Sequence, residues 1–204
     1  MRESSIAQPR LIFTFNLPNG TITIGRAVDN DLIVVERGIA LQHARIERVG
    51  ETYAVVDLSG GETWVSQHGE ASDLQPVSRQ VLQPNALVQF SGALFRFLCP
   101  LQGAGALERE FEIRKLPTTI GADPDNDIAL NDPTISRRHA EIEMDNGVYV
   151  IRDAGSTNGT FVAFNGEPAQ ERQIERNALR DGSLIRLGNV RLTFRVGWDA
   201  DERR

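Results

Sequence analysis

The chain has 204 residues, room for one or two domains, and its 40% hydrophobic and 25% charged content excludes a largely disordered polypeptide. A formal net charge of −6 argues against a nucleic-acid partner, whose phosphates reward a basic face, but leaves room for a local basic pocket that takes one anion. No apolar run reaches membrane-span length, no secretory signal is visible after residues 1–5, and a lone cysteine, Cys99, excludes an internal disulfide framework and fits a reducing cytosol; the expectation is a cytoplasmic protein with no membrane insertion.

In chain order, the elements read as short β-strands separated by turns. Residues 11–15, 53–56 and 95–97 are β-branched or aromatic runs. Pro and Gly then mark residues 99–107 as a join between halves. Strand-like runs resume at 148–151 and 190–194. Asn19-Gly20, Asn146-Gly147, Asn158-Gly159, Asn165-Gly166 and Asp181-Gly182 are hairpin-type dipeptides. A helical turn is expected within 169–177, confined by Pro168 and Gly182. Short strands at regular spacing, without a long helical period, predict an all-β sandwich.

The halves repeat. Thr23-Ile24-Gly25 recurs as Thr119-Ile120-Gly121, Asp29-Asn30-Asp31 as Asp125-Asn126-Asp127, His43-Ala44 as His139-Ala140, and Asp57 as Asp153, each 96 residues later. From Thr63, which matches Thr160, to Phe97, which matches Phe194, the offset is 97. The first copy therefore lacks one residue between Asp57 and Thr63. A repeat of this length is a whole domain. The Asp-Asn-Asp runs read as turn caps, since they occur in both copies.

The two copies differ in two polar loops. The second carries Ser136-Arg137-Arg138-His139 and Gly155-Ser156-Thr157-Asn158-Gly159. Hydroxyls, a carboxamide and guanidinium groups together suit a dianionic oxyanion. The first copy has Ala40-Leu41-Gln42-His43 and Gly60-Gly61-Glu62 instead.

On these residues the second copy resembles a forkhead-associated (FHA) domain. The likeness runs through Ile120-Gly121, Asp125-Asn126-Asp127-Ile128, Ile135-Ser136-Arg137-Arg138-His139-Ala140, Gly155-Ser156-Thr157-Asn158-Gly159-Thr160-Phe161-Val162, Asn165-Gly166 and residues 181–188. The first copy resembles the family through its frame alone. The resemblance implies two tandem FHA-type β-sandwich domains: residues 1–99 degenerate, 100–107 a linker, 108–196 carrying the phosphothreonine-type motifs, and 197–204 a tail. It implies a phosphothreonine peptide held by Ser136, Arg137, Thr157 and Asn158, with Gly121, His139 and Gly159 as structural residues; Arg138 beside them reads as a solvated strand residue and is a candidate additional phosphate contact. The chain departs from the family at Ala122, where an Arg is usual, and a weaker site is expected. The first copy keeps that cation as Arg26 but is not expected to bind phosphothreonine.

The implied partners are a phosphothreonine-containing protein and its Ser/Thr kinase. The N-terminal arm 1–10, the join 99–107 and the tail 197–204 contain no Thr, so the phosphopeptide is expected from another chain. The alternative function is a phosphate-independent scaffold using both domains as contact surfaces. No cofactor is expected. Asp123-x-Asp125-x-Asp127 lacks the Gly and bidentate Glu of a calcium loop, and one Cys with three His forms no zinc set. Ser136, His139 and Asp153 have the residue types of a hydrolytic triad, but triads are defined by geometry, and no enzyme is expected.

Overall fold

A computed structural model describes residues 9–17, 20–98 and 105–196. The expected tail, and residues 1–8 and 99–104 of the arm and join, lie outside these. The described residues form short strands linked by turns, and no helix is long and apolar enough to cross a membrane. The helical turn expected within 169–177 shrinks to one 3-10 turn, Pro168–Gln170. The rest of that stretch is two strands, Arg172–Ile174 and Arg176–Ala178, because each pairs with a neighbouring strand.

The chain divides into two compact units, and the division differs from the expected one at 99 and 108. One unit comprises residues 14–109; the other comprises the described residues up to Phe13 together with those from Glu110 onward. Each unit contains two five-stranded sets of strands.

In the first unit, Leu32–Ile33, Ile22–Gly25, Ala44–Val49, Thr52–Asp57 and Arg79–Val81 lie side by side. The other set is Gln75–Pro76, Thr63–Ser66, Leu87–Phe90, Ala93–Leu98 and Ala106–Glu112. Alternation is clearest in Ala93–Leu98, where Ala93, Phe95 and Phe97 are inside while Leu94 and Arg96 face out. Tyr53 of one set meets Phe97 of the other edge to face, with ring centroids 5.9 Å apart.

The second unit repeats this plan. Ile128–Ala129, Thr118–Gly121, Ala140–Asp145, Val148–Asp153 and Arg176–Ala178 form one set. Arg172–Ile174, Thr160–Ala163, Leu184–Leu187, Val190–Arg195 and Arg10–Asn16 form the other. One buried cluster takes Ile120, Ile142 and Ile151 from the first set and Val162, Ile185, Leu192, Phe194 and Leu11 from the second.

Leu11 explains the unequal division. The opening strand of the first repeat pairs with the last strand of the second, Leu11 opposite Phe194. The opening strand of the second repeat pairs with the last strand of the first, Leu107 opposite Phe97. Leu11 and Leu107 stand 96 residues apart in sequence, and both are fully buried. Each sheet is thus completed by the other repeat's first strand, and residues 106 and 107, expected in the linker, are strand.

Candidate functional site

Both repeats present three loops at one end of their sandwich, held by the same hydrogen bonds. In the second repeat, Ala122 N–H donates to Ser136 O at 3.0 Å and Asp123 N–H to Arg137 O at 3.1 Å. Asn126 Nδ2 donates to Arg137 O at 2.7 Å and to Asp123 O at 2.8 Å. Gly121 permits this close approach: a Cβ there would lie 2.2 Å from the Arg137 carbonyl oxygen. Asp127 caps Thr119, accepting from its N–H and hydroxyl at 3.0 Å each, and pairs with Lys115 at 2.8 Å. The turn-capping role expected of the Asp-Asn-Asp run is thereby met.

His139 is buried beneath the loops. Ser136 N–H points at its Nδ1 (3.1 Å), so that nitrogen accepts; Nε2 therefore carries the proton and donates to Gly159 O at 3.1 Å. One imidazole pins the Ser136 loop to the Gly159 loop. Gly159 itself has φ of 75°, the left-handed region that its turn requires.

Asp153 organises the third loop. Its carboxylate accepts from Gly155 N–H (3.0 Å), Ser156 N–H (2.9 Å), Ser156 Oγ (2.6 Å) and Thr160 Oγ1 (2.7 Å). Burial pushes this carboxyl up, but the hydrogen bonds from Ser156, Thr160 and Gly155 outweigh it and leave it below its ordinary value of 3.8.

These anchors bring the sequence-identified polar groups together. Thr157 N–H donates to Ser136 Oγ at 3.0 Å, and the two hydroxyl oxygens are 3.4 Å apart. Asn158 Nδ2 donates to Thr134 O at 2.7 Å, which fixes the carboxamide while leaving it a second N–H. Arg137 contributes its carbonyl to the scaffold and exposes its side chain, which has no ion-pair partner among the described residues. Arg138 is exposed too, 4.0 Å from Glu141. Ala122 packs against the core at the position where the resemblance implies an Arg.

Thr134 was not identified from sequence. Its N–H and hydroxyl bind Asp132, its hydroxyl accepts from Asn189 N–H (2.8 Å), and its carbonyl holds Asn158. The spacing Asp132-x-Thr134 is a side-chain-capped turn signal that could have revealed it.

The residue types of a triad are present but not assembled as one. His139 Nδ1 meets the backbone of Ser136, not its hydroxyl, and Nε2 meets Gly159, while Asp153 is spent on Ser156 and Thr160. Among the described residues, no three His, Cys, Asp or Glu side chains are grouped to hold a metal.

The first repeat copies the scaffold closely. Arg26 N–H donates to Ala40 O (3.0 Å), Ala27 N–H to Leu41 O (3.1 Å), and Asn30 Nδ2 to Leu41 O (2.7 Å). His43 accepts from Ala40 N–H at 3.1 Å and reaches Glu62 O at 3.0 Å. Asp57 gathers Ser59, Gly60, Gly61 and Thr63 as Asp153 gathers its own loop. The one-residue deletion falls inside this loop, where Thr157 and Asn158 would stand.

The FHA domain family matches residues 22–91 and 118–188, more than half of the chain. The protein belongs to the FHA-domain family. Both matched stretches lie on the repeated frame, so the tandem FHA-type β-sandwich reading holds for both halves. This FHA protein is similar to the glycogen accumulation regulator GarA of Mycolicibacterium smegmatis, 40% identical over 85 residues, which are 42% of this chain and 49% of that protein. It is also similar to the oxoglutarate dehydrogenase inhibitor of Corynebacterium glutamicum, 44% identical over 82 residues, 39% of this chain and 51% of the relative. The chain thus spans about half the length of these curated relatives. Among solved structures, one from a study of phosphothreonine-dependent FHA domain interactions is 33% identical, with a TM-score of 0.39, over 44% of this chain and 86% of that one.

Proposed function

We propose that this tandem FHA protein is a phosphothreonine-dependent adaptor that binds through its second repeat, downstream of a Ser/Thr kinase, and is not an enzyme. The observation that carries this reading is the meeting of Ser136, Thr157 and Asn158 on two loops pinned by His139, beside the exposed Arg137 side chain. A phosphothreonine brings about −1.5 to −2 charges and three acceptor oxygens. The Ser136 and Thr157 hydroxyls and the remaining Asn158 N–H supply donors, and Arg137, with Arg138 beside it, supplies positive charge. Ala122 removes one charge-assisted contact, so affinity is modest.

Fluorescence polarisation with full-length protein and labelled phosphothreonine peptides, against their unphosphorylated forms, tests the reading. Phosphate-dependent binding that falls at least about tenfold in Ser136→Ala and Asn158→Ala is expected. Binding indifferent to phosphate, or to both substitutions, overturns it. The scaffold alternative draws specific support only at the first repeat, whose loop end has the opposite character.

A further inference from the structure

The equivalent loops of the first repeat carry three exposed aliphatic side chains. Val28 is 86% exposed, Leu41 58% and Leu58 45%. Only two other large hydrophobic side chains among residues 14–98, Val49 and Leu94, are exposed among those described. Isolated apolar side chains on a surface are unremarkable, but a cluster on the ligand-facing loops of a binding fold is not.

Their loops are stitched together by backbone. Ala27, next to Val28, donates to the Leu41 carbonyl at 3.1 Å, and Leu58 N–H donates to His43 O at 2.9 Å. Asn30 ties the Val28 and Leu41 loops a second time, through Ala27 O and Leu41 O. In the second repeat the matching positions are Pro124, Arg137 and Ala154, each 96 residues later. The first repeat thus exposes Leu41 where the second exposes a guanidinium, on an unchanged frame.

The patch also has a cation. Arg26 is exposed, with no hydrogen-bond or ion-pair partner for its side chain among the described residues. Around it the phosphate donors are missing: Ala40 stands for Ser136, and Gly60-Gly61 for the Thr157-Asn158 region. Exposed Asp29 and Glu62 repel a dianion more than a single carboxylate. One cation bordered by aliphatic groups complements an apolar ligand with one negative charge.

We propose that the loop end of the first repeat docks an unphosphorylated peptide segment of another protein, one that presents an aliphatic side chain beside an Asp or Glu carboxylate. Leu41, Val28 and Leu58 receive the aliphatic group and Arg26 the carboxylate. The site is separate from the phosphothreonine site proposed above, so one chain engages two features of a partner, or two partners.

The test is an array of immobilised synthetic peptides, each with one aliphatic and one acidic residue at varied spacing in a Gly/Ser/Ala frame. Matched sets replace the acid by its amide, by Lys or by phosphothreonine. Full-length protein should bind acid-containing peptides and lose binding at least tenfold in Leu41→Asp and in Arg26→Ala, with binding retained in Asn158→Ala. Amide chemical shifts of 26–28, 40–42 and 58–62 should move on titration with the best peptide. Both substituted side chains are exposed, and unchanged thermal melts confirm the variants fold. The proposal is overturned if no acidic peptide binds, if Leu41→Asp binds equally, if Lys or phosphothreonine sets are preferred at this face, or if Leu41→Asp merely abolishes self-association seen by sedimentation. A phosphothreonine peptide titrated into the same variants keeps failure here distinct from failure at Ser136.

Discussion

The loop ends of the two repeats share a skeleton and differ in the side chains hung upon it. His43 and His139, and Asn30 and Asn126, make the same bonds to matching backbone groups, and Asp57 and Asp153 each accept from the matching threonine hydroxyl, Thr63 or Thr160. The surface above them changes from Ser136, Arg137 and Asn158 to Ala40, Leu41 and a shortened glycine loop. A buried hydrogen-bond scaffold is costly to break, because each orphaned donor or acceptor carries a desolvation penalty. Exposed positions above it carry none and are free to change. The difference teaches that the frame common to both repeats is held by polar residues at or beneath the loops, while the side chains above it vary.

The largest expected effect tests the strand exchange. Leu11→Ala and Leu107→Ala should each destabilise by about 2–5 kcal/mol, since both delete a fully buried side chain. Hydrogen exchange should locate the loss: Leu11→Ala loosens Val190–Arg195, whereas Leu107→Ala loosens Ala93–Leu98. The reverse assignment would show that each repeat keeps its own first strand.

Next come the histidines. His139→Ala and His43→Ala each remove a buried imidazole that holds two backbone groups and should cost roughly 2–4 kcal/mol in chemical denaturation, alike in the two repeats. A large inequality would break the claim of a shared skeleton. Only His139→Ala should also abolish phosphothreonine binding.

The exposed positions come third. Ala122→Arg should tighten phosphopeptide binding about tenfold, through one charge-assisted contact of about 1.5–3 kcal/mol. Ala40→Ser in the first repeat should confer no measurable phosphothreonine binding, because the shortened loop offers no counterpart of Asn158. Titration calorimetry decides both.

The smallest effect is one of pH. Asp153 and Asp57 have carboxyls held below 3.8, burial raising them and the loop hydrogen bonds lowering them further. A depressed folded value means a stabilisation fully present above the unfolded value and lost as pH falls through the folded one. Thermal melts from neutral pH to below 3.8 should therefore show reduced acid sensitivity in Asp153→Asn and Asp57→Asn, to a similar degree.

Much of the site was legible because it is local. The Ser136 and Asn158 loops are boxed by turn residues and strands, and a 96-residue self-match shows which positions are frame and which are surface. Thr134 escaped because the group that holds Asn158 is its carbonyl, which every residue has, and only the Asp132-x-Thr134 spacing marks its turn in the sequence. The exposed aliphatic trio of Val28, Leu41 and Leu58 escaped because its members are 13 and 17 residues apart and their loops are joined by hydrogen bonds across the fold.

By itself, the sequence determined a doubled all-β frame, the loops that carry polar groups in one copy and not in the other, and the residue lost from the first. Alternation, turn dipeptides and repeat spacing are short-range facts, and they fix what each segment becomes. Tertiary structure alone decided which sheet each first strand completes and which side chains share a surface. Leu11 and Leu107 sit on strands of matching register with nearly interchangeable partners, Phe194 and Phe97. With the local pattern satisfied either way, the choice rests on the packing of the whole chain.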